Sequence, residues 1–212
     1  MKNKKAYAFI DASNLFYGGE KSLGWKIDYK KLRSYLVEKY GVTKALYFGG
    51  VETHSFTHDY LADDTVPLQP LERYLRERVR RDAANLSEAK LILLERHLKR
   101  VHFYQRLESF GYELYLKPVK IFWDDDVPRK KANVDVDMAY FMMRELRHFQ
   151  RAVVLSGDGD FLPVLRYLRE QGKEVFVLSR APRTAKEIKK FAGGEFRDFV
   201  RLRTELEFMP KH

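Results

Sequence analysis

Cysteine is absent from the 212 residues of this chain. Disulfide bonds and thiolate metal sites are therefore excluded, and a reducing compartment is favoured. Long apolar runs are missing too, since no segment approaches the roughly 20 apolar residues that cross a bilayer. The basic start, residues 1–5, precedes an apolar stretch that Asp11 interrupts, well short of the roughly 7 to 15 residues of a signal-peptide core. We expect a cytoplasmic protein that does not contact a membrane.

Positive charge is plentiful: 40 Lys and Arg oppose 30 Asp and Glu, which gives a net charge of +10. Such an excess is typical of proteins that bind polyanions, and RNA is the leading candidate. An apolar content of 45% is enough for a buried core. The chain has no internal repeat and no low-complexity tract. We expect one domain over residues 1–212, and homo-oligomer formation stays open.

Short apolar runs alternate with helical stretches, which predicts an α/β fold with a mostly parallel central sheet. Helices are expected to end at Gly41, Gly111 and Gly172, each followed at once by a strand. An Arg-rich helical insertion is expected at about 53–100, with an irregular segment at 53–70. The predicted strands are residues 6–10, 45–48, 112–119, 152–155 and 174–178, and residues 196–202 could form an edge strand or a closing segment.

Asp11 directly follows the first predicted strand. Open parallel sheets bind their ligands at the carboxyl ends of strands, so Asp11 has the right position for a metal ligand. The alternative is a helix cap, because Asp11, Ser13 or Asn14 could each cap a helix that begins near Leu15. Asn14 could orient a ligand or simply form the turn.

Asp135 lies in a segment that is apolar on nearly every side, NVDVDMAYFMM at 133–143. At 100° per residue it shares a stripe with Ala139, Met142 and Leu146, which should face the sheet. A buried carboxylate costs several kcal/mol unless a cation or donors compensate it. Asp137 points about 200° away, where a favourable charge in the first helical turn is the simpler explanation.

Asp158 and Asp160 stand in SGDGDF at 156–161, where a buried strand runs into a Gly-containing turn. Glycines let the backbone bend sharply and aim short side chains at a common point. Asp160 could also cap the following helix, whereas Asp158 has no such alternative. Both are candidate ligands.

Carboxylates without cysteine favour the hard cations Mg²⁺ or Mn²⁺ over zinc. His54 and His58 are four residues apart, but they fall in the irregular segment and lack a third ligand. The sequence therefore predicts an acidic metal site and makes a zinc site at the histidines the weaker hypothesis.

Two basic clusters could bind the substrate, or could simply be solvated surface. Nearby aromatic residues could stack on unpaired bases. The first cluster precedes Asp135 and consists of Lys117, Lys120, Arg129, Lys130 and Lys131. The second follows the strand at 174–178 and consists of Arg180, Arg183, Lys186, Lys189 and Lys190.

Three segments together resemble the NYN domain, of the LabA-like branch of the PIN-like nucleases: FIDASN at 9–14, NVDVDM at 133–138 and SGDGDF at 156–161. IDYKKL at 27–32 and GYELYLKPV at 111–119 support the resemblance, which spans about residues 5–180. It implies a Rossmann-like α/β/α sandwich and metal-dependent cleavage of single-stranded RNA, expected to be endonucleolytic. The positions that match the acidic set are Asp11, Asp135, Asp158 and Asp160, with Asn14, Ser156 and Asp137 in support.

The chain departs from the family pattern at Phe141, where members often carry another Asp. This departure keeps a second hypothesis open, a catalytically weak or inactive RNA-binding module on the same fold. A phosphatase or phosphoacceptor is less favoured, because no Asp-x-Asp motif follows the first strand.

Overall fold

A computed structural model describes residues 4–16, 21–59, 62–82, 87–124 and 127–210 of the chain. The side chains of residues 21, 82 and 121–131 also lie outside the described part. No helix of the described residues is both long enough and apolar enough to span a membrane.

The strands of the described chain are β1 (Ala6–Asp11), β2 (Val42–Val51), β3 (Tyr112–Pro118), β4 (Lys120–Asp124), β5 (Val127–Lys131), β6 (Arg151–Leu155), β7 (Glu174–Ser179) and β8 (Phe196–Asp198). Six of them form one sheet in the order β3-β2-β1-β6-β7-β8, and β4 pairs with β5 as a separate antiparallel hairpin. β1 pairs in parallel with β2 and β6, and β7 pairs in parallel with β6 and β8. The predicted α/β fold with a parallel sheet is confirmed, and its strand order is that of doubly wound folds.

The helices are α1 (Lys21–Leu23), α2 (Tyr29–Tyr40), α3 (Leu68–Asp82), α4 (Glu88–Ser109), α5 (Asp135–Arg144), α6 (Leu162–Glu170), α7 (Lys186–Ala192) and α8 (Arg203–Leu206). Local signals explain the bounds of α2. The Asp28 side chain accepts hydrogen bonds from the N–H groups of Lys30 and Lys31, and Gly41 ends the helix with φ +72°. Gly111 and Gly172 also have positive φ, so the three predicted helix ends are confirmed.

The centre of the sheet is apolar because both of its faces are covered. Every residue of β1 is buried, as are the last four residues of β6. Phe149, just before β6, packs its ring 5.5 Å from Tyr7 and 5.6 Å from Phe9. The edge strand predicted within residues 196–202 is β8.

The chain divides into two compact units. Unit one comprises residues 1–48, 110–113 and 134–212, and it contains β1, β6, β7 and β8. Unit two comprises residues 49–109 and 114–133, and it contains α3, α4 and the β4–β5 hairpin. A single domain with an insertion at about 53–100 stays a prediction.

Unit two is built on two long helices. α3 and α4 pack against each other, and their buried residues include Leu71, Leu75 and Leu94. The described residues before α3, 52–59 and 62–67, are irregular, as predicted, and Val66 N–H donates to the Leu116 carbonyl at 2.9 Å. Helical structure begins at Leu68, two residues before the predicted end of the irregular segment.

A polar network joins the two helices of unit two at Glu72. One oxygen, Oε1, accepts from Arg76 Nε at 2.7 Å and lies 3.0 Å from His102 Nε2, while Oε2 accepts from Gln105 Nε2 at 2.6 Å. The Glu72 side chain is 21% exposed. Hydrogen bonds from Gln105, Arg76 and His102 lower the pKa of Glu72 from 4.5 to about 2.

Because of this network, we expect the free energy of unfolding to fall in acid, and we expect Glu72→Gln to remove that contribution. A lowered pKa in the folded state adds stability above pH 4.5, and that stability is lost as pH falls toward 2. We expect Glu72→Gln to lower the free energy of unfolding by about 1–2 kcal/mol at pH 7, with a difference from wild type that shrinks below pH 4.5. Urea unfolding between pH 7 and pH 3 measures this difference.

Glu77→Gln on the exposed side of the same helix is the matched control, and it should leave the free energy of unfolding within about 0.5 kcal/mol of wild type. A Glu72→Gln loss that stays constant down to pH 3 would contradict the network's role.

Candidate active site

The order of the sheet reverses between β1 and β6, the point where doubly wound folds bind their ligands. Ile10 of β1 is in register with Leu155, the last residue of β6. Asp11 and Ser156 follow these two residues, so they lie side by side at the carboxyl edge of the sheet. This is the edge that the sequence predicts for Asp11.

Asp11 is 4% exposed, and its carboxylate is held by four donors. Oδ1 accepts from Ser13 N at 2.9 Å, Ser13 Oγ at 2.7 Å and Asn14 N at 3.1 Å. Oδ2 accepts from Ser156 Oγ at 3.2 Å. The chain turns helical at residue 12, so Asp11 has the cap geometry that was the alternative explanation. The same bonds fix the orientation of the carboxylate, as a ligand requires.

Ser156 links the two strand ends. Its hydroxyl donates to Asp11 and accepts from the N–H of Asp158 at 3.2 Å. Ser156 is buried, at 2% exposure, so this link is shielded from competing water. Ser156, expected from the sequence to support the site, therefore connects Asp11 and Asp158.

Asp158 and Asp160 are both exposed on the turn after β6. Asp158 Oδ1 accepts from Asp160 N at 3.0 Å and caps the 3₁₀ turn Gly159–Phe161. The capping residue is therefore Asp158, whereas the sequence suggested Asp160. A 3₁₀ turn precedes α6, so the first free N–H groups lie close to Asp158. Asp158 Oδ2 and the Asp160 carboxylate accept no hydrogen bond from the described residues.

Asn14 is tied to a third strand end. Its Oδ1 accepts a hydrogen bond at 3.1 Å from Ser179 Oγ, and Ser179 is the fully buried last residue of β7. The carboxyl ends of β1, β6 and β7 are thus connected through Asn14, Asp11 and Ser156. Asn14 has a positional role here beyond forming the turn.

Asp135 is the first residue of α5, which packs against β1. Because α5 leads into β6, and crossover helices run antiparallel to their strands, its first turn lies at the carboxyl edge of the sheet. Asp135 is half-buried and interacts with neighbouring groups. Asp137 is also half-buried, in the first turn, where its charge is favourable.

The buried side of α5 differs slightly from the predicted stripe. Met138, Phe141 and Met142 are buried, whereas Ala139 is half-buried and Leu146 lies beyond the end of the helix at Arg144. The buried stripe is thus rotated by one position, and Asp135 lies at its margin.

Phe141, the departure from the family pattern, is a core residue. It is 3% exposed, its ring centroid lies 5.5 Å from that of Phe48, and the Arg144 guanidinium lies 3.8 Å from the ring centroid. The aromatic side chain fills apolar space beneath the sheet, where an Asp would need a compensating donor or cation.

Glu187 is an acidic neighbour of this turn that sequence reasoning missed. A Cβ added at Gly159 would lie 2.5 Å from Glu187 Oε1, so the carboxylate reaches the backbone between Asp158 and Asp160. Glu187 is exposed in the first turn of α7, 27 residues after Asp160, and no local pattern in the sequence links it to the site.

The donors at this edge fit a hard divalent cation. They are carboxylate, hydroxyl and amide oxygens without sulfur or imidazole, the ligand set that Mg²⁺ and Mn²⁺ prefer. Asp158 and Asp160 offer exposed oxygens, and Asp11 offers a fixed one. Among the described residues, no three of Asp11, Asp135, Asp158 and Asp160 have ligand atoms all within 4.8 Å of one another; the trio that does is Glu52, His54 and His97 of unit two.

The two basic clusters fall in different units. Lys117 is half-buried and Lys120 exposed in unit two, and Arg129, Lys130 and Lys131 are on β5, with side chains outside the described part. The second cluster belongs to unit one. Ala185 N–H, between Arg183 and Lys186, donates to the Gly157 carbonyl at 2.9 Å, so exposed cations border the Asp158 turn.

Comparison with known proteins agrees with this fold. The chain is 28% identical over 108 residues to the low amplitude and bright protein LabA of Synechococcus elongatus, a match over 50% of this chain and 58% of that protein. The structure resembles that of a protein of unknown function from Vibrio parahaemolyticus with a TM-score of 0.62, 16% identity, and coverage of 98% and 99% of the two chains. A family model described as NYN domain matches residues 5–199. The chain belongs to the NYN domain family.

Proposed function

We propose that this chain is a divalent-metal-dependent nuclease that hydrolyses phosphodiester bonds in single-stranded RNA. Support comes from NYN family membership and from one observation, the bonded series Asp11, Ser156 and Asp158 at the switch point of the sheet. The net charge of +10 suits a polyanionic substrate.

Each acidic residue has its own task in this proposal. Asp11 is buried and rigidly bonded, so it fixes the position of the site. Asp158 and Asp160 are exposed, so their oxygens would hold the cation where a substrate phosphate approaches from solvent, and Asp135 would add negative charge for the cation from the start of α5. Mg²⁺ or Mn²⁺, when bound, would neutralise phosphate charge and promote ionisation of water. No nucleophilic side chain is needed.

Substrate binding is assigned to the basic residues. Arg183 and Lys186 border the Asp158 turn and would hold phosphates next to the bond that is cut. Lys117, Lys120, Arg129, Lys130 and Lys131 are candidates for further phosphate contacts. Single strands are preferred in this proposal because their flexible backbone can enter a site at a strand edge.

The proposal is tested by incubating the chain with labelled single-stranded and double-stranded RNA and DNA in Mg²⁺, Mn²⁺ or EDTA. We expect single-stranded RNA to be cut in either metal and to stay intact in EDTA. RNA that is bound but never cut would favour the second function, an RNA-binding module. Cleavage that persists in EDTA would contradict metal dependence.

A further inference from the structure

Unit two holds a group of two histidines and one glutamate outside the acidic site. His97 Nε2 lies 2.9 Å from Glu52 Oε2, and His97 Nδ1 contacts His54 Nε2, with the two imidazole centroids 4.4 Å apart. One ligand atom from each of the three residues lies within 4.8 Å of the others. Glu52 and His54 thus lie on opposite ring nitrogens of His97, with one possible ligand atom of each residue close to those of the other two.

The turn that carries His54 has an unusual backbone. His54 has φ +50° and Ser55 has φ +71°, although neither is glycine, and Phe56 N–H closes the turn by donating to the Thr53 carbonyl at 2.9 Å. A positive φ costs free energy for a residue other than glycine, and such a conformation persists where the surrounding structure enforces it. Here α3 does so, since Tyr74 OH donates to the His54 carbonyl at 2.8 Å and Arg78 Nη1 donates to the same oxygen.

His97 is held from the opposite side by α4. It lies three residues from Leu94 and four from Val101, both buried, so it projects from the packed face of the helix. Its side chain is 13% exposed and that of Glu52 is 25% exposed. The three donors come from a strand extension, a fixed turn and a packed helix, which is the rigid support that a metal site needs.

We propose that Glu52, His54 and His97 bind one borderline divalent cation of the zinc class. Two imidazoles and a carboxylate form a ligand set found in zinc sites with a fourth position open to water. Tetrahedral coordination at about 2.0–2.1 Å needs donor atoms about 3.4 Å apart, so side-chain rotations must bring one nitrogen of His97 toward both Glu52 and His54 when the ion binds. Imidazole ligands select against Mg²⁺, so this site and the oxygen-only edge of unit one take different metals.

The competing explanation is a hydrogen-bonded chain from Glu52 through His97 to His54 without a metal. The metal-site proposal predicts that added zinc binds to these residues, whereas the hydrogen-bonded chain predicts that it does not. The proposal does not depend on nuclease activity, because it rests on residues of unit two alone.

The test uses the tag-free full chain, stripped with EDTA and dialysed, then titrated with ZnCl₂ by calorimetry and with CoCl₂ by visible absorption. We expect one zinc per chain, a rise in unfolding temperature with zinc, and cobalt absorption bands of a four- or five-coordinate site. His97→Gln should weaken zinc binding by more than a hundredfold, and so should His54→Gln.

His148→Gln serves as the control. It removes an exposed histidine of unit one and should bind zinc like the wild type. Circular dichroism of the metal-free variants shows whether each has folded, and the cobalt spectrum of the wild type requires no variant. Absence of zinc binding to the wild type, or equal binding by a folded His97→Gln variant, would overturn the proposal in favour of the hydrogen-bonded chain.

Discussion

Replacing Asp158 with Asn is expected to slow metal-dependent cleavage of single-stranded RNA by a factor on the order of 10²–10³. The substitution removes one negative charge at the exposed turn, where the proposed cation would be held. It keeps an oxygen that can still accept from Asp160 N–H, so the cap of the 3₁₀ turn survives. Activity should therefore fall while the unfolding temperature stays within about 2 °C of wild type.

Glu170→Gln provides the matched control for the Asp158 prediction. Glu170 is exposed at the end of α6, just before β7 begins, which is the opposite edge of the sheet. Glu170→Gln removes one negative charge, as Asp158→Asn does, but far from the proposed site, so the cleavage rate should be unchanged. Single-turnover rates at saturating Mn²⁺ compare the two variants. Cleavage by the Asp158→Asn variant at the wild-type rate would mean that another site, or a contaminant, cuts the RNA.

Replacing Gly157 with Ala is expected to destabilise the protein and to reduce cleavage together. The added Cβ would lie 2.7 Å from both Ser179 Oγ and Thr184 Oγ1, and 2.9 Å from Thr184 Cα. The last contact involves the backbone of Thr184, so the main chain at Gly157 or at Thr184 must move. Overpacking of this kind costs about 1–3 kcal/mol, which corresponds to a fall of roughly 2–12 °C in unfolding temperature for a chain of this size.

The expected loss of cleavage follows from the position of Gly157 in the chain. Gly157 connects Ser156 to Asp158, and a shift of about 1 Å in a reacting group can cost on the order of a hundredfold in rate. Gly194→Ala is the control, because nothing lies within 4 Å of its added Cβ and its φ is not positive. It should change the free energy of unfolding by less than about 0.5 kcal/mol. Equal stability of the two variants would contradict the close packing at Gly157.

Local signals were sufficient for the elements that form the site. Gly41 ends α2 as predicted, and the apolar runs before Asp11 and Ser156 predicted β1 and β6 to within a residue. Such predictions succeed because caps, positive-φ glycines and apolar runs act over a few residues. The carboxyl-edge position of Asp11 follows from the same rules once the strands are parallel.

Features that depend on distant residues could not be predicted. His97 lies 43 residues after His54, on a long helix whose apolar stripe does not indicate a ligand. The weaker hypothesis of a histidine site therefore paired His54 with His58 and lacked a third donor. Glu187 reaches Gly159 through the packing of α7. The β4–β5 hairpin also went unpredicted, since neither KIFWD of β4 nor VPRKK of β5 alternates apolar and polar residues.

Anomalous diffraction from crystals soaked in Mn²⁺ tests the central claim most directly. We predict a manganese peak at the carboxyl edge of β1 and β6, within coordination distance of oxygens from Asp11 and Asp158, and its loss in the Asp158→Asn variant. Well-diffracting crystals with no manganese at that edge would contradict the account, even if metal were found at Glu52, His54 and His97.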